Sequence, residues 1–430
     1  MNEKKPYISY TPISIKQELD KILSKKEFNF KFDKIIVYRI IELILLKSEQ
    51  EEEFVNLKIN YLIKKFGKKI ENYIKFLIEE KLIICDNRYI IGLKAKGYKI
   101  NEKFLKKDEL IKIKIIPETK QYKRISSEIK KEKNKYKKQS TDLKLMCRAF
   151  MNLELDVEKC NNYIDNLYYK DKSLEKNNEI KASLRISVNN FIDKRKRYFK
   201  RNKTNNRLDS NLTCLKKELR EFLIGDFCET DLSNSQPVFL ASEMNNDFSS
   251  ITKEFGKTTS NKIKKIIEQE NFKAEGEKFL KLTADGTLYD EFIEKFLKNK
   301  QINYNQARKL TKKIFFQVFY SKNFKRNGKI LFKTNKQIFS KKFPLIYKII
   351  STLKENKYQK FSIFLQKKES NMFIDIICKE LIQNNIIPLT IHDSIIVKKE
   401  EQEKTLEIIK TVFYNNSKIN PTFKSNYFAN

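Results

Sequence analysis

The 430-residue chain carries 90 Lys and Arg against 55 Asp and Glu, a formal charge of +35 at neutral pH. That balance suits a polyanionic partner, although a codon bias towards lysine would leave the same surplus, with 8 glycines, one histidine and no tryptophan. Apolar residues make up 40% and aromatics 12%, which excludes a disordered basic tail and leaves enough core for two or three domains. No apolar run reaches the roughly 18 residues of a membrane span; residues 36–46 come nearest and are interrupted by Arg39 and Glu42. The first residues, Met1-Asn2-Glu3-Lys4-Lys5-Pro6, lack the apolar stretch of a signal peptide, so a cytoplasmic location without membrane contact is expected. Six scattered cysteines with no C-x-x-C, and a single histidine, make no zinc site; reduced thiols are expected.

In chain order, the apolar spacing predicts a helix over 33–47, a second over 58–65, a turn at Phe66-Gly67 and a third helix over 68–81. On the third helix Ile70, Tyr73, Ile74 and Leu77 share one face, and Lys68, Lys69, Asn72 and Lys75 occupy the other. A hairpin is predicted next, with strands over 82–85 and 89–92 joined at Asp86-Asn87-Arg88. Three helices and a hairpin over residues 30–100 resemble a winged helix-turn-helix. The resemblance implies that Lys68, Lys69, Asn72 and Lys75 face the major groove and that Arg88 and its neighbours to Lys96 touch the DNA backbone. A winged helix that binds protein through a solvated lysine face stays open as the alternative. Residues 101–140 lose periodicity, and 126–140 hold eight charged residues in fifteen, which reads as a linker or an exposed helix.

Three segments beyond residue 205 carry chemistry. A short strand ends at Asp231, and Ser233 or Asn234 is placed to cap an apolar helix over 238–244. A carboxylate at a strand end, beside main-chain carbonyls, suits a hard cation such as Mg²⁺. Next, a Gly- and Pro-free helix carries Arg308, Lys312, Phe316 and Tyr320 four apart, two cations followed by two aromatics, a stripe suited to a triphosphate, a sugar and a base. The same spacing arises by composition about 0.07 times in a chain like this one, so it carries weight only beside the other motifs; alone it also fits a buried aromatic face with lysines reaching out. Finally, strands over 386–391 and 395–398 meet at His392-Asp393-Ser394, a hairpin with an acid at its tip.

Taken in order, these segments resemble the palm and fingers of the family A, or DNA polymerase I-like, polymerases. D-L-S-N-S-Q-P-V-F-L-A from Asp231 is similar to the family's D-Y-S-Q-I-E-L-R-x-L-A; Arg308, Lys312, Phe316 and Tyr320 fall on R-x-x-x-K-x-x-x-[FY]-x-x-x-Y-G; and His392-Asp393-Ser394 answers H-D-E. More weakly, Ser362-Ile363-Phe364-Leu365-Gln366 resembles the stretch carrying a duplex-contacting glutamine, and Arg207-Leu208-Asp209-Ser210 resembles the family's R-L-S-S beside the primer. The departures are Ser394, as in single-subunit phage-type RNA polymerases, Ser321 in place of glycine, and Gln236 in place of the glutamate that excludes a ribose 2′-hydroxyl.

The resemblance implies an α+β, mostly helical chain: a winged helix-turn-helix domain (1–104), a linker (105–140), a reduced thumb (141–205), an antiparallel-sheet palm (206–250 and 340–430) and helical fingers (251–339). It implies that Asp231 and Asp393 hold two Mg²⁺, with Mn²⁺ as a substitute. Arg308 and Lys312 would grip the triphosphate, Phe316 the sugar and Tyr320 the nascent pair, with Gln236 testing the 2′ position. His392, Gln366 and Arg207 would contact primer and template. The expected partners are primer-template DNA, an origin site and dNTPs, as in a replication protein of a plasmid, phage or other mobile element. Two other classes stay open: a non-catalytic origin-binding initiator, and a primase or RNA polymerase of the single-subunit type.

Overall fold

The structure, a computed structural model, describes residues 5–428 except 49–52, 90–94, 138, 247, 249, 298–301, 324, 327–328 and 331–332. The chain is mostly helical with small antiparallel sheets, an α+β fold, and divides into two units. Met1–Gln139, Met151–Phe199 and Ser210–Ile224 form the first; Ser140–Phe150, Lys200–Asp209 and Gly225–Asn430 form the second. Among the described residues no helix is long and apolar enough to cross a membrane.

The first unit opens with β1 (Tyr7–Pro12), α1 (Ile13–Leu23) and α2 (Lys34–Ser48). Asp33 starts α2 by accepting the Ile35 N–H at 3.0 Å, and Ile40, Ile41 and Ile44 are fully buried, each worth about 1.5–3 kcal/mol of burial. There follow β2 (Val55–Asn56), α3 (Ile59–Phe66), α4 (Ile70–Glu79), β3 (Ile83–Cys85) and β4 (Gly97–Ile100), with sheet order β2-β4-β3. Gly67 ends α3 at φ +110°, a backbone that a side chain would strain.

β3 pairs with β4, with Cys85 opposite Tyr98; the strand expected over 89–92 lies, apart from Tyr89, outside the described residues. Asp86 supports the β3–β4 pairing: its carboxylate accepts the Gly97 N–H at 2.8 Å, as well as that of Arg88 at 3.0 Å. A Cβ on Gly97 would stand 2.7 Å from that of Phe54, so glycine is required there.

The stretch expected as a linker holds β5 (Leu110–Ile115), which pairs with β1 from Tyr7–Ile115 to Pro12–Leu110, and the helix α5 (Lys120–Lys137). Then come α6 (Thr141–Asn152), α7 (Val157–Asn166) and α8 (Leu174–Ile192). Ala182 and Ile186 of α8 sit in the core built on α2, and the Ser183 hydroxyl donates to the Leu46 carbonyl at 3.3 Å. This part of the expected thumb therefore shares the core of the first unit.

A hairpin of β6 (Phe199–Arg201) and β7 (Leu208–Ser210) and the short helices α9 (Asn211–Cys214) and α10 (Lys217–Arg220) lead to β8 (Phe227–Leu232) and α11 (Ser235–Asn245). The expected cap of α11 is not made. Asn234 occupies the N-cap at φ 56°, ψ 38°, and its side chain makes no capping bond; an N-cap that accepts from the helix needs an extended backbone.

A helical layer follows: α12 (Ile251–Phe255), α13 (Lys257–Ile267), α14 (Phe272–Ala284), α15 (Glu294–Leu297), α16 (Tyr304–Tyr320), the strands β9 (Lys325–Arg326) and β10 (Lys329–Ile330), α17 (Lys333–Lys342) and α18 (Pro344–Leu353). Its core is aromatic, with Phe315 against Phe339 at 5.4 Å and Phe279 against Phe343 at 5.4 Å between ring centres. Helix α19 (Tyr358–Ser370) runs through a π-helical segment, Asn371–Ile377, into α20 (Cys378–Gln383). Strands β11 (Leu389–Ile391) and β12 (Ser394–Lys398), helix α21 (Gln402–Ser417) and β13 (Phe423–Tyr427) complete the unit, with sheet order β11-β12-β8-β13. Ile395 and Ile396, which alternate faces, are both fully buried, as expected of a central strand covered on both sides.

Candidate active site and nucleic-acid interface

The four-stranded sheet brings the two aspartates to neighbouring strand ends. Asp231 of β8 pairs with Ser394 of β12, and the next N–H, of Leu232, donates to the carbonyl of Asp393 at 3.2 Å. Ile391 pairs with Ser394, so His392 and Asp393 are the two-residue turn between β11 and β12. Both aspartates have a left-handed residue close by, His392 at φ 55° and Asn234 at φ 56°. Each costs on the order of 1 kcal/mol of backbone strain and re-aims the chain at the acid beside it.

Asp231 is exposed and Asp393 half-buried. Burial is the main cause that raises the Asp393 carboxyl above its usual range; Arg207 and the neighbouring Ser235 hydroxyl pull it down, and Glu229 pushes it up. Glu229 is buried and accepts the Ser394 hydroxyl at 2.7 Å. Ser394 is thus absorbed into the sheet. Among the described residues no group of three or more Asp, Glu, Cys or His side chains is placed to hold a metal ion; two carboxylates are a partial, all-oxygen donor set of the kind that would suit a hard cation such as Mg²⁺ or Mn²⁺.

Behind Asp393 lies a buried cluster that the sequence reading did not include. Glu369 of α19 is fully buried. Its Oε1 accepts Arg207 Nε at 2.7 Å and forms an ion pair with Arg207 Nη2 at the same distance, and its Oε2 accepts the Ser235 hydroxyl at 2.9 Å and Gln236 Nε2 at 2.6 Å. Burial first, and Asp393 in addition, push Glu369 up to about 7 against the pull of Arg207 and Ser235. The tip of the β6–β7 hairpin is fastened alongside. Arg201 grips Asp375 of the π-helical segment through two bonds at 2.5 and 2.6 Å, Asn205 Nδ2 donates to Gln366 Oε1 at 3.1 Å, and the Ser370 hydroxyl donates to the Asn205 carbonyl at 2.9 Å. Arg207, Gln236 and Gln366 are therefore brought together. Gln236 Oε1, Ser233 Oγ and Asn234 Nδ2 are buried without a hydrogen-bond partner.

Helix α16 starts with a capping box between Asn303 and Gln306. It buries Ala307, Thr311, Ile314, Phe315, Val318 and Phe319, which turns the predicted stripe outward. Arg308 and Tyr320 are half-buried, Lys312 is exposed and Phe316 is 65% exposed. The buried aromatic face is thus Phe315 and Phe319, and the stripe is a surface. Phe316 and Tyr320 lie 4.9 Å apart between ring centres, and Arg308 stands 3.8 Å from Asp290. The Tyr320 phenol is pushed up to about 12 by burial, with Arg207 and a bond to Gln366 opposing and Glu369 and Asp393 adding. Tyr289 is raised by burial and then by Tyr320 and Asp393, while Arg308 lowers it. Tyr320 and Tyr289 thus both feel the charge of Asp393. Ser321, at φ −90°, donates its hydroxyl to the Gln317 carbonyl at 2.6 Å, so no glycine is needed there.

In the first unit Lys68, Lys69, Asn72 and Lys75 are all exposed at the start and outer face of α4, and Arg88 is exposed after β3. Glu71 and Glu79 share that surface, with Lys75 3.7 Å from Glu79. The face is polar and mixed in charge.

No family model matches the chain, and no curated protein matches it. Among solved structures it is similar to the POL domain of Pol1 from M. smegmatis in complex with DNA primer-template and dNTP, at 10% identity and a TM-score of 0.35. The match covers 71% of this chain and 65% of that one, so the chain spans less than two thirds of that structure.

Proposed function

We propose that the chain is a template-dependent DNA polymerase of the family A type, extending a primer with dNTPs, and that its first unit is a winged helix that docks on DNA. The observation that carries the reading is the backbone bond from Leu232 to Asp393, which sets the two carboxylates on adjoining strand ends. Two divalent cations held by Asp231 and Asp393 would supply activation of the primer 3′-hydroxyl and charge neutralisation at the leaving pyrophosphate. The chain's own residues do the rest. Arg308 and Lys312 hold the triphosphate, Phe316 offers an exposed face to the sugar, and Tyr320 bounds the nascent pair. Arg207, Gln366 and His392 contact the primer and template. In the reaction the 3′-oxygen bonds to the α-phosphorus, its proton passes to solvent and pyrophosphate departs.

The order α2, β2, α3, α4, β3, β4 with sheet order β2-β4-β3 supports the winged-helix reading. Lys68, Lys69, Asn72, Lys75 and Arg88 are its DNA contacts. A DNA-docking module joined to a compact polymerase suits a replication protein of a mobile element. Gln236 stands where a 2′-hydroxyl would be tested, and Ser394 is spent on Glu229, so deoxynucleotides are the favoured substrate.

The test is extension of a primed DNA template with Mg²⁺ and either dNTPs or rNTPs. Extension with dNTPs is expected, falling at least about a thousandfold in Asp231→Ala and in Asp393→Ala. Absence of extension with either set, or variants that extend as well as the parent, would overturn the proposal.

A further inference from the structure

We propose that Glu369 is a specificity-determining positioning residue: it pins Gln236 in one place and one orientation, and so sets how strictly the site rejects a ribose. The inference rests on the polymerase reading of Asp231 and Asp393 above.

Three of the four groups on the Glu369 carboxylate are N–H donors that cannot accept, namely Arg207 Nε, Arg207 Nη2 and Gln236 Nε2. With the Ser235 hydroxyl they occupy both oxygens, so the ionised form is the one its surroundings satisfy. An acceptor-only partner decides the orientation of Gln236. The amide must turn its NH₂ towards Glu369, and its oxygen is then forced to the opposite edge. That oxygen, Oε1, is buried and has no partner. An acceptor turned that way is open to a hydroxyl donor, and the sugar of an incoming nucleotide brings a 3′-hydroxyl whether or not it carries a 2′-hydroxyl.

Pinning matters because a side chain excludes an extra hydroxyl only if it cannot swing aside. A free glutamine has three rotatable bonds; this one ends in a charge-assisted bond of 2.6 Å to a carboxylate itself held by Arg207. Glu369 does not touch the substrate in this scheme. It acts through Gln236.

The experiment compares kcat/KM for dNTP and rNTP in the parent and in Glu369→Gln, which keeps the size and removes the charge. The deoxy-to-ribo ratio is expected to fall at least about tenfold, with KM for the rNTP carrying most of the change. A loss of equal size for both substrates, leaving the ratio unchanged, would show a merely structural role and overturn the inference. Calorimetric titration of each protein on a template whose primer lacks its terminal 3′-hydroxyl, with a deoxynucleoside and then a ribonucleoside triphosphate, reads the same ratio without turnover; an unchanged Kd ratio is equally fatal. Should Glu369→Gln lose its thermal transition, Glu369→Asp keeps the charge but shortens the reach, and it must lower the ratio by a smaller factor. A parent that binds triphosphates but extends no primer defeats the polymerase reading, and the Kd ratio still judges Glu369.

Discussion

On α4 the Lys75 side chain is 76% exposed and 3.7 Å from a half-exposed Glu79, whereas in the second unit the Arg207 side chain is 16% exposed against a Glu369 carboxylate that is 1% exposed. The first arrangement gains little, since water and salt screen the pair. The second is held by geometry, because neither charge can return to water without the fold opening. The same chain therefore uses cations in two ways. The exposed ones stay in water on a polar face of mixed charge, and the buried one is locked to its carboxylate inside the fold.

Removing one member of each pair gives the largest contrast. Arg207→Ala leaves Glu369 buried with only Ser235 and Gln236 for partners, and a destabilisation of about 3–5 kcal/mol is expected in urea unfolding. Lys75→Ala is expected to shift the same measurement by less than about 0.5 kcal/mol. The double variant Arg207→Leu with Glu369→Leu should recover most of the Arg207→Ala loss, because the unpaired charge goes with it. A loss of under about 1 kcal/mol for Arg207→Ala would remove the distinction between the two arrangements.

The uneven legibility of the site has the same origin. Helix α16 was readable because its periodicity is local, and Asp231 and Asp393 because each ends a short apolar strand. Glu369 gave no such sign: Lys367-Lys368-Glu369-Ser370 looks like a solvated charge run, and its partners Arg207, Ser235 and Gln236 lie 162, 134 and 133 residues away. The π-helical segment that follows has no sequence mark either. By contrast β5, Leu-Ile-Lys-Ile-Lys-Ile, does alternate and announces a strand, but its partner β1 stands about a hundred residues earlier, so the linker expected there held a sheet edge. The β3–β4 pairing turned on the carboxylate of Asp86 reaching Gly97, a side-chain choice that turn propensities do not encode.

The exposed set has its own measurement. If Lys68, Lys69 and Lys75 each neutralise one phosphate, the triple alanine variant should flatten the log–log dependence of DNA affinity on salt by about 2.7, at roughly 0.9 per contact. Between 50 and 200 mM salt its affinity would then fall roughly fortyfold less than that of the parent, with unfolding unchanged. An unaltered slope in a filter-binding or anisotropy titration would assign α4 to some other partner and leave the protein-binding winged helix standing.

A third kind of cation is buried with no acidic partner among the described residues. Lys354 is 3% exposed and donates to the Val318 carbonyl near the end of α16; Lys336 is 2% exposed and donates to the Lys322 carbonyl. The Val318 carbonyl belongs to the last turn of α16, where a positive charge is favoured, and that of Lys322 lies in the segment just after the helix. Burial nonetheless lowers Lys354 to about 7, with repulsion from Lys336 adding to it, and lowers Lys336 to about 8. The folded values thus lie below the unfolded one of 10.5. Between them the unfolded chain binds protons that the folded chain does not, so stability rises with pH from about 7 towards 10.5, by up to about 1.4 kcal/mol per pH unit for each lysine. Lys354→Met should remove the Lys354 share of that slope, measured as urea midpoints at three values between neutrality and the unfolded value. Parallel slopes in parent and variant would mean that Lys354 keeps its proton in the fold, and that the carbonyl of Val318 is partner enough for a buried charge.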